Sequence, residues 1–408
     1  MTLSARMPRT FLFVCTTIIA AAAASPSVQS CAVYNGGPPA ASTTKIGAFK
    51  ALVTCDGKPP PAGAVPGAAV AWASFDDGLL ANGWGKLTVE TSGSYADHEQ
   101  MYGAGVVEGY LTAQGIHDNA QNLYAETFKL NMTQAPPKDL AEWFVTQDSW
   151  ARTSVSSNTD SGFWRQAGGI IAQFDGLEAG YAIAAAASDN ALPPLGQFFF
   201  SMLNGIGDLF QIMPSLKPSL RKNASSFATR AEAEAYAQGI GHCSAIIRVA
   251  GEPWFEDLLF GHSSWFTYVA TNRIFKHYHF DLSDASTASK GVSFSSYPGF
   301  LESLDDFYML SSGLGWTQTS NGVYNTTLFD LVKPQSMLAW QRVRIASVMA
   351  HSGKEWWEAV KTAASGTYVN QYMIVDYNLF TPGKDLPANT LWVVEEIPGL
   401  ARKTTIAA

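Results

Sequence analysis

One cysteine stands where reactive chemistry could be built. In Gly239-Ile240-Gly241-His242-Cys243-Ser244 a thiol lies between a glycine-bearing loop and the short apolar run 245–249. Glycines let a backbone take positive φ and strained shapes that a Cβ resists. The run after the cysteine is partly β-branched and reads as a buried strand. A thiolate is a strong nucleophile. Attack by Cys243 on the carbonyl of His242 would cut the bond between them and make Cys243 a new N-terminus. The commoner fate of a lone cysteine is burial as a small hydrophobe. On this stretch alone that second reading stands first.

The other cysteines change the balance. The chain has four, Cys15, Cys31, Cys55 and Cys243. Arg6 and Arg9 precede an apolar run over 11–24 that ends in small residues, the pattern of a secretory signal peptide over 1–24, cut near Ala24. Cys15 leaves with it. Cys31 and Cys55 are then a candidate disulfide in an oxidising compartment, and Cys243 is the odd thiol. The sequons at Asn131, Asn223 and Asn325 fit the same secretory route. The expected location is therefore the outside of the cell or the lysosomal lumen. No later run reaches the roughly 20 apolar residues of a membrane span. A net charge of −8 without a Lys/Arg run gives no footprint for nucleic acid or a polybasic membrane patch.

Three further constellations invite chemistry. Gly261-His262-Ser263-Ser264-Trp265 half-matches a serine nucleophile elbow, but Trp265 stands where that turn needs a small residue. His262 remains a candidate, against the alternative of a hydrogen-bonded core histidine. His277 and His279 would share one face of a strand, yet no second ligand group has metal-site spacing, so no metal and no other cofactor is expected. Asp305 and Asp306 suggest a carboxylate pair. Adjacent strand residues face opposite sides, so one is expected at work and the other solvated or capping. Trp356 and Trp357 are read as core.

The elements that must position these groups divide near the cysteine. Residues 32–68 are Gly/Pro-rich loops around short strands. Runs 69–75 and 84–91 read as an antiparallel pair split by turn residues. Helical spacing follows over 95–114, 119–132, 140–144 and 161–187, so 90–240 is mainly helical. Two prolines and the Asn223 sequon mark an exposed linker at about 211–228, suited to proteolytic nicking. A short helix over 229–238 leads to the cysteine. Beyond it strands dominate, over 245–249, 257–260, 291–295, 307–310, 322–324, 372–375 and 391–394, with helices over 266–278 and 335–350. This predicts an α+β fold whose N-terminal part (25–242) is helix-rich and whose C-terminal part (243–408) is strand-rich and carries the nucleophile.

At this point the motifs carry a resemblance. Gly105-Val106-Val107-Glu108-Gly109-Tyr110-Leu111, Gly241-His242-Cys243-Ser244-Ala245, His262-Ser263-Ser264-Trp265, Arg273-Ile274-Phe275-Lys276-His277-Tyr278, Phe294-Ser295-Ser296-Tyr297-Pro298-Gly299, Asp305-Asp306-Phe307-Tyr308, Trp340-Gln341-Arg342-Val343-Arg344 and Ser365-Gly366-Thr367-Tyr368-Val369-Asn370 follow one another as they do in the phospholipase B-like proteins. The chain resembles that family from about residue 60 to Pro398. The resemblance implies an N-terminal nucleophile hydrolase, an αββα sandwich made as a precursor and self-cleaved between His242 and Cys243. Its substrate would be a lipid acyl ester or amide, and a homodimer is the further candidate assembly. The freed α-amino group, with an ordinary pKa near roughly 7.7–8.0, could act as base on its own thiol. His262 and Trp265 would line the pocket. Gln318-Thr319-Ser320 would form another wall, with Ser320 where threonine is usual and Thr319 beside it. Asn370 would help hold an oxyanion, its alternative being a turn hydrogen bond. Asp305 and Asp306 would orient the site. Val369 replaces a usual polar residue. Family members continue past Pro398 with further strands, so the fold is expected with its C-terminal strands missing. A non-catalytic glycoprotein that keeps the fold as a binding or structural module is the alternative function.

Overall fold

The computed structural model describes residues 28–35, 49–52, 69–189, 191–222, 226–239 and 243–406. The expected signal peptide, Cys55, Asn223 and His242 lie outside these residues.

Strands β1 (Val28–Tyr34), β2 (Phe49–Leu52), β3 (Ala71–Gly78) and β4 (Trp84–Thr91) come first, with the single turn α1 (Leu79–Asn82) joining the last two. The helices α2 (Asp97–Leu111), α3 (Ala113–Phe128), α4 (Lys138–Ser157), α5 (Gly162–Ala187), α6 (Gln197–Asn204), α7 (Leu209–Leu216) and α8 (Arg230–Gly239) fill the middle of the chain. A hairpin of β5 (Ser244–Ala250) and β6 (Asp257–Ser263) follows Cys243. Then come β7 (Ile274–His279), β8 (Gly291–Ser296), β9 (Phe307–Leu310), β10 (Leu314–Ser320), α9 (Ala339–Met349), α10 (Gly353–Val360), β11 (Asn370–Asp376), β12 (Leu391–Ile397) and β13 (Leu400–Ile406).

Eleven of these strands form one sheet in the order β13-β12-β11-β10-β9-β8-β7-β4-β3-β1-β2. The fold is α+β, as expected. The described residues hold this sheet and the two-stranded β5–β6 sheet. The seam between the two halves of the chain is the parallel pairing of β4 with β7, from Gly85 opposite Ile274 to Glu90 opposite His279. Strands from before and after Cys243 therefore share one hydrogen-bonded sheet. A cut at residue 242 would leave that seam intact.

Two devices fix the helical layer on this sheet. Glu108 of α2 is fully buried and takes the Lys276 ammonium of β7 at 2.6 Å and the Tyr278 hydroxyl at 2.5 Å. Burial pushes the Lys276 pKa down while Glu108 pushes it up, so the pair must be made together or not at all. Helices α2 and α5 then meet backbone to backbone through Gly105, Gly109, Gly176 and Gly180. A Cβ on Gly105 would stand 2.0 Å from the Gln173 carbonyl oxygen, and one on Gly176 2.0 Å from that of Tyr102. On the same side of the sheet an aromatic series crosses the strands. Phe294 packs on Tyr308 at 5.3 Å, Tyr308 stacks on Trp316 at 4.0 Å, and Trp356 of α10 lies 5.0 Å from both Trp316 and Tyr372. Trp356 and Trp357 are core, as read from the sequence.

The hairpin packs on the opposite face. Phe307 and Gly315 alternate with Tyr308 and Trp316 along β9 and β10 and so point the other way. Phe260 of β6 stacks on Phe307 at 4.7 Å, and a Cβ on Gly315 would meet its ring at 2.7 Å.

Four local expectations change. Residues 274–279 are strand β7 rather than the end of a helix, because Ile274, Lys276 and Tyr278 are buried in alternation while His277 and His279 are exposed. Residues 322–324 are loop, and the strand there is the preceding β10. Strand β5 is not buried: Ile246 is 61% exposed, since only one hairpin face meets the sheet. The start of the expected linker is helix α7, which buries Leu209, Gln211 and Ile212. Arg221 beyond it is anchored by the Pro214 carbonyl at 2.7 Å and Asp330 at 2.8 Å.

Gly176→Ala must push α2 and α5 apart. Overpacking of this kind costs about 1–3 kcal/mol. The urea midpoint is predicted to fall accordingly, and an unchanged midpoint would contradict the backbone-contact account.

Candidate active site

The site lies where the start of β9, the end of β10 and the start of β11 meet, beneath the first residues of the hairpin. Register brings these ends together, with Thr317 opposite Phe307 and Ser320 opposite Asn370. Cys243 enters β5 with φ +76°, in the left-handed region that a side-chain-bearing residue adopts at a cost of about 1–3 kcal/mol. Asp306 (φ +56°) and Tyr368 (φ +42°) share that region. The Tyr368 hydroxyl donates to Asp306 Oδ2 at 2.9 Å, and the Gln318 side-chain amide donates to Oδ1. Three strained residues thus converge on one point.

Around the thiol, the His262 ring and the Asp306 carboxyl bring one ligand-capable atom each to within 4.8 Å of Cys243 Sγ and of one another. His262 is placed by β6, one position before its end and opposite Ala245. Its Nε2 is buried and makes no hydrogen bond. Burial, the largest influence, holds its pKa below the usual imidazole value, so the ring is neutral near pH 7. The Trp265 backbone N–H donates to Cys243 Sγ at 3.4 Å. Burial first, and then the negative charges of Asp306 and Asp305, push the Cys243 thiol up to about 11, with the Trp265 N–H pulling the other way. Among the described residues Cys243 is the free cysteine, while Cys31 is disulfide-bonded.

The remaining expected residues take varied places. Trp265 meets the thiol through its backbone, and its indole is largely exposed. Asn370 is buried and donates through Nδ2 to the Tyr368 carbonyl at 2.5 Å, the turn-like bond that was its alternative. Its Oδ1 is buried without a partner. Thr319 and Ser320 are half-buried at the end of β10. Ser320 lines a pocket with Phe210, Leu220, Lys222, Phe329 and Tyr368. Asp305 and Asp306 lie in the turn before β9, not on a strand, and both are buried. Neither is solvated. Asp305 accepts the Tyr297 hydroxyl at 2.5 Å. Asn131 and Asn325 are exposed, each accepting the backbone N–H and hydroxyl of the sequon threonine through Oδ1. These bonds leave Nδ2, the atom that would carry a glycan, uninvolved.

Tyr368, Glu302 and Asp208 were not singled out from sequence, and Gln318 was named only as part of a pocket wall. Asp208 is buried between α6 and α7, where it accepts the Ala339 N–H at 2.9 Å and the Thr367 hydroxyl. It thereby fixes the segment that ends in Tyr368. A Cβ on Gly207, its neighbour, would stand 2.7 Å from the Tyr368 ring, so only glycine fits beneath it.

A thiol at the head of a strand, a neutral imidazole and a buried carboxyl thus lie together in an α+β protein. Comparison with known proteins gives the family. The Phospholipase B family model matches residues 71–407. Phospholipase B-like 1 of Rattus norvegicus is 42% identical over 80% of this chain and 58% of its own length. Phospholipase-B 81 of Drysdalia coronoides is 43% identical over 82% and 60%, and Phospholipase B of Crotalus adamanteus 42% over 81% and 59%. The chain belongs to the phospholipase B family, and it spans a little under or at 60% of the length of these relatives.

The buried acids set a pH dependence. Burial raises Asp208 to about 6 and lifts Glu302 and Asp306 well above the carboxyl range. Such groups hold protons in the folded chain that the unfolded chain has released. Their contribution is therefore greatest at low pH and is lost as pH rises through the folded pKa. His262 and His277, both lowered by burial, oppose this only below about 6.5. The urea midpoint is predicted to rise as pH is lowered from about 8 to about 6. A fall over that interval would show these carboxyls to be ionised and compensated.

Proposed function

We propose that the protein is a hydrolase of lipid acyl bonds, ester or amide, whose nucleophile is Cys243 exposed as a new N-terminus. The observation that carries this reading is the strained Cys243 backbone at the head of β5, with His262 and buried Asp306 at its thiol. In the uncut chain a thiol pushed up to about 11 is almost wholly protonated at neutral pH. Strain at Cys243 favours rearrangement of the bond before it. Sγ attacks the His242 carbonyl carbon, the C–N bond breaks, and the nitrogen leaves as the α-amine of Cys243. Water then hydrolyses the thioester, leaving a carboxylate on His242.

The new amine adds a second base beside the sulfur, carried on the nucleophile's own residue and close to neutrality in its ordinary pKa. It takes the thiol proton, the thiolate attacks the acyl carbonyl of the lipid, and the amine returns the proton to the leaving alcohol or amine. A second water releases the fatty acid. The Trp265 N–H steadies the sulfur, and Tyr368, which donates to Asp306, also lines the pocket. That pocket suits a lipid, with apolar Phe210, Leu220 and Phe329 and the Lys222 cation beside them. Ser320 and Thr319 stand at its edge, and Asn370 is the candidate oxyanion donor through the second hydrogen of Nδ2.

A secreted or lysosomal location fits this reading. The buried carboxyls favour an acidic lumen, the sequon side chains are exposed, and Cys31 is disulfide-bonded. No helix among the described residues is long and apolar enough to cross a membrane.

Purified protein incubated with vesicles of a diacyl phospholipid, or with an N-acyl amide lipid, is expected to release fatty acid from at least one of them. Cys243→Ala is expected to lose release by at least about 10³-fold, the scale on which removal of a nucleophile acts. Undiminished release by the variant overturns the nucleophile. No release by wild type is the outcome expected of a binding module instead.

A further inference from the structure

The histidine pair that first raised the question of a metal does not carry one. His277 and His279 are exposed on β7, and His277 Nδ1 already meets the Ser293 hydroxyl at 2.9 Å. A different set has the chemistry. Cys243 Sγ, a ring nitrogen of His262 and a carboxylate oxygen of Asp306 all lie within 4.8 Å of one another. They come from three separate parts of the chain: the residue before β5, the end of β6 and the turn before β9.

We infer that Cys243, His262 and Asp306 form a zinc site in which the ion holds the thiol out of reaction. Thiolate, imidazole and carboxylate together match Zn²⁺ far better than Mg²⁺ or Ca²⁺, which take oxygen ligands. Three protein ligands leave the fourth position of a tetrahedral ion to water. The second observation is the His262 ring itself. Its Nε2 is buried without a hydrogen bond, a state that costs free energy unless something else binds there. Asp306 is already oriented as a metal-bound carboxylate usually is, its oxygens held by Gln318 and Tyr368 with a lone pair to spare on each. On binding, Zn²⁺ forms bonds to sulfur and to an Asp306 oxygen, and the thiol proton and the proton held by the buried Asp306 carboxyl both pass to solvent, so no oxidant or other reactant is needed.

A sulfur bonded to zinc has its electron pair engaged and does not attack a carbonyl. Metal occupancy would thus suspend both the cut before Cys243 and any later turnover until the ion is removed. This consequence rests on Cys243 being the nucleophile. The binding site does not.

Metal-stripped full chain is titrated with Co²⁺, and the near-ultraviolet thiolate-to-cobalt charge-transfer absorption is followed. Zn²⁺ is then added as competitor. One equivalent is expected to bind, with the absorption lost on adding zinc and absent from Cys243→Ala. Even a hydrogen-bond partner of a metal ligand is worth about 10–100-fold in affinity, so His262→Ala is expected to weaken Zn²⁺ binding at least about tenfold. That variant removes a ring whose Nε2 bonds nothing, and circular dichroism verifies that it folds. No charge-transfer band in wild type, a band that persists in Cys243→Ala, or unchanged affinity in folded His262→Ala each overturns the site. These readouts need no turnover. A protein that binds cobalt through Cys243 yet never hydrolyses lipid supports the site and contradicts the functional reading alone.

Discussion

The site depends on one electrostatic constraint: a thiol is buried beside carboxyls that raise its pKa. Burial and the carboxyls of Asp306 and Asp305 raise Cys243, and the neighbouring imidazole is neutral because it too is buried. A cysteine activated in place needs a cation, a helix N-terminus or a metal to stabilise its thiolate. Here the arrangement does the reverse. Turnover at a thiol raised in this way would gain from a further base, and the α-amine released by a cut before Cys243 is one that chain chemistry can supply. The strain at Cys243 has the same sense, since a cut before it would release that backbone torsion.

The scaffold would survive such a cut. The β4–β7 seam, the Glu108–Lys276 pair and the glycine contact between α2 and α5 join parts of the chain from both sides of residue 243, or lock the helices that cover the sheet. The buried Arg342 guanidinium of α9 grips Glu396 of β12 at 3.0 Å and secures the far side. Asp208 then couples α9 to the segment carrying Tyr368. The Glu108, Arg342 and Asp208 contacts join buried polar groups to buried partners, so the positions of the site residues are narrowly determined.

Much of this was legible in the sequence where local pattern and burial agree. The β3–β4 pair, the long helices before residue 190 and the oddness of Cys243 all follow from turn residues, helical spacing and cysteine arithmetic. Strand β7 was not legible as a strand, because Lys276 looks solvent-seeking until Glu108, far away in sequence, neutralises it. Strand β10 reads Leu-Gly-Trp-Thr-Gln-Thr-Ser, too polar to suggest a central strand, yet Thr317 and Gln318 are buried at the site. The apolar run after Cys243 suggested burial, but a two-stranded hairpin has one face against the sheet and one outside. Asp306 and Tyr368 were visible as motif letters. Their positive φ and mutual hydrogen bond, which make them a unit, are set by tertiary contacts that no local pattern encodes.

The central claim is that Cys243 becomes an N-terminus. Intact mass together with N-terminal sequencing of the purified protein, beside Cys243→Ala, tests it most directly. The account predicts two fragments from wild type that stay associated until denatured, the second beginning Cys-Ser-Ala, and an uncut chain from the variant. A wild-type chain that remains whole, or a fragment beginning at Cys243's position in both proteins, would contradict it.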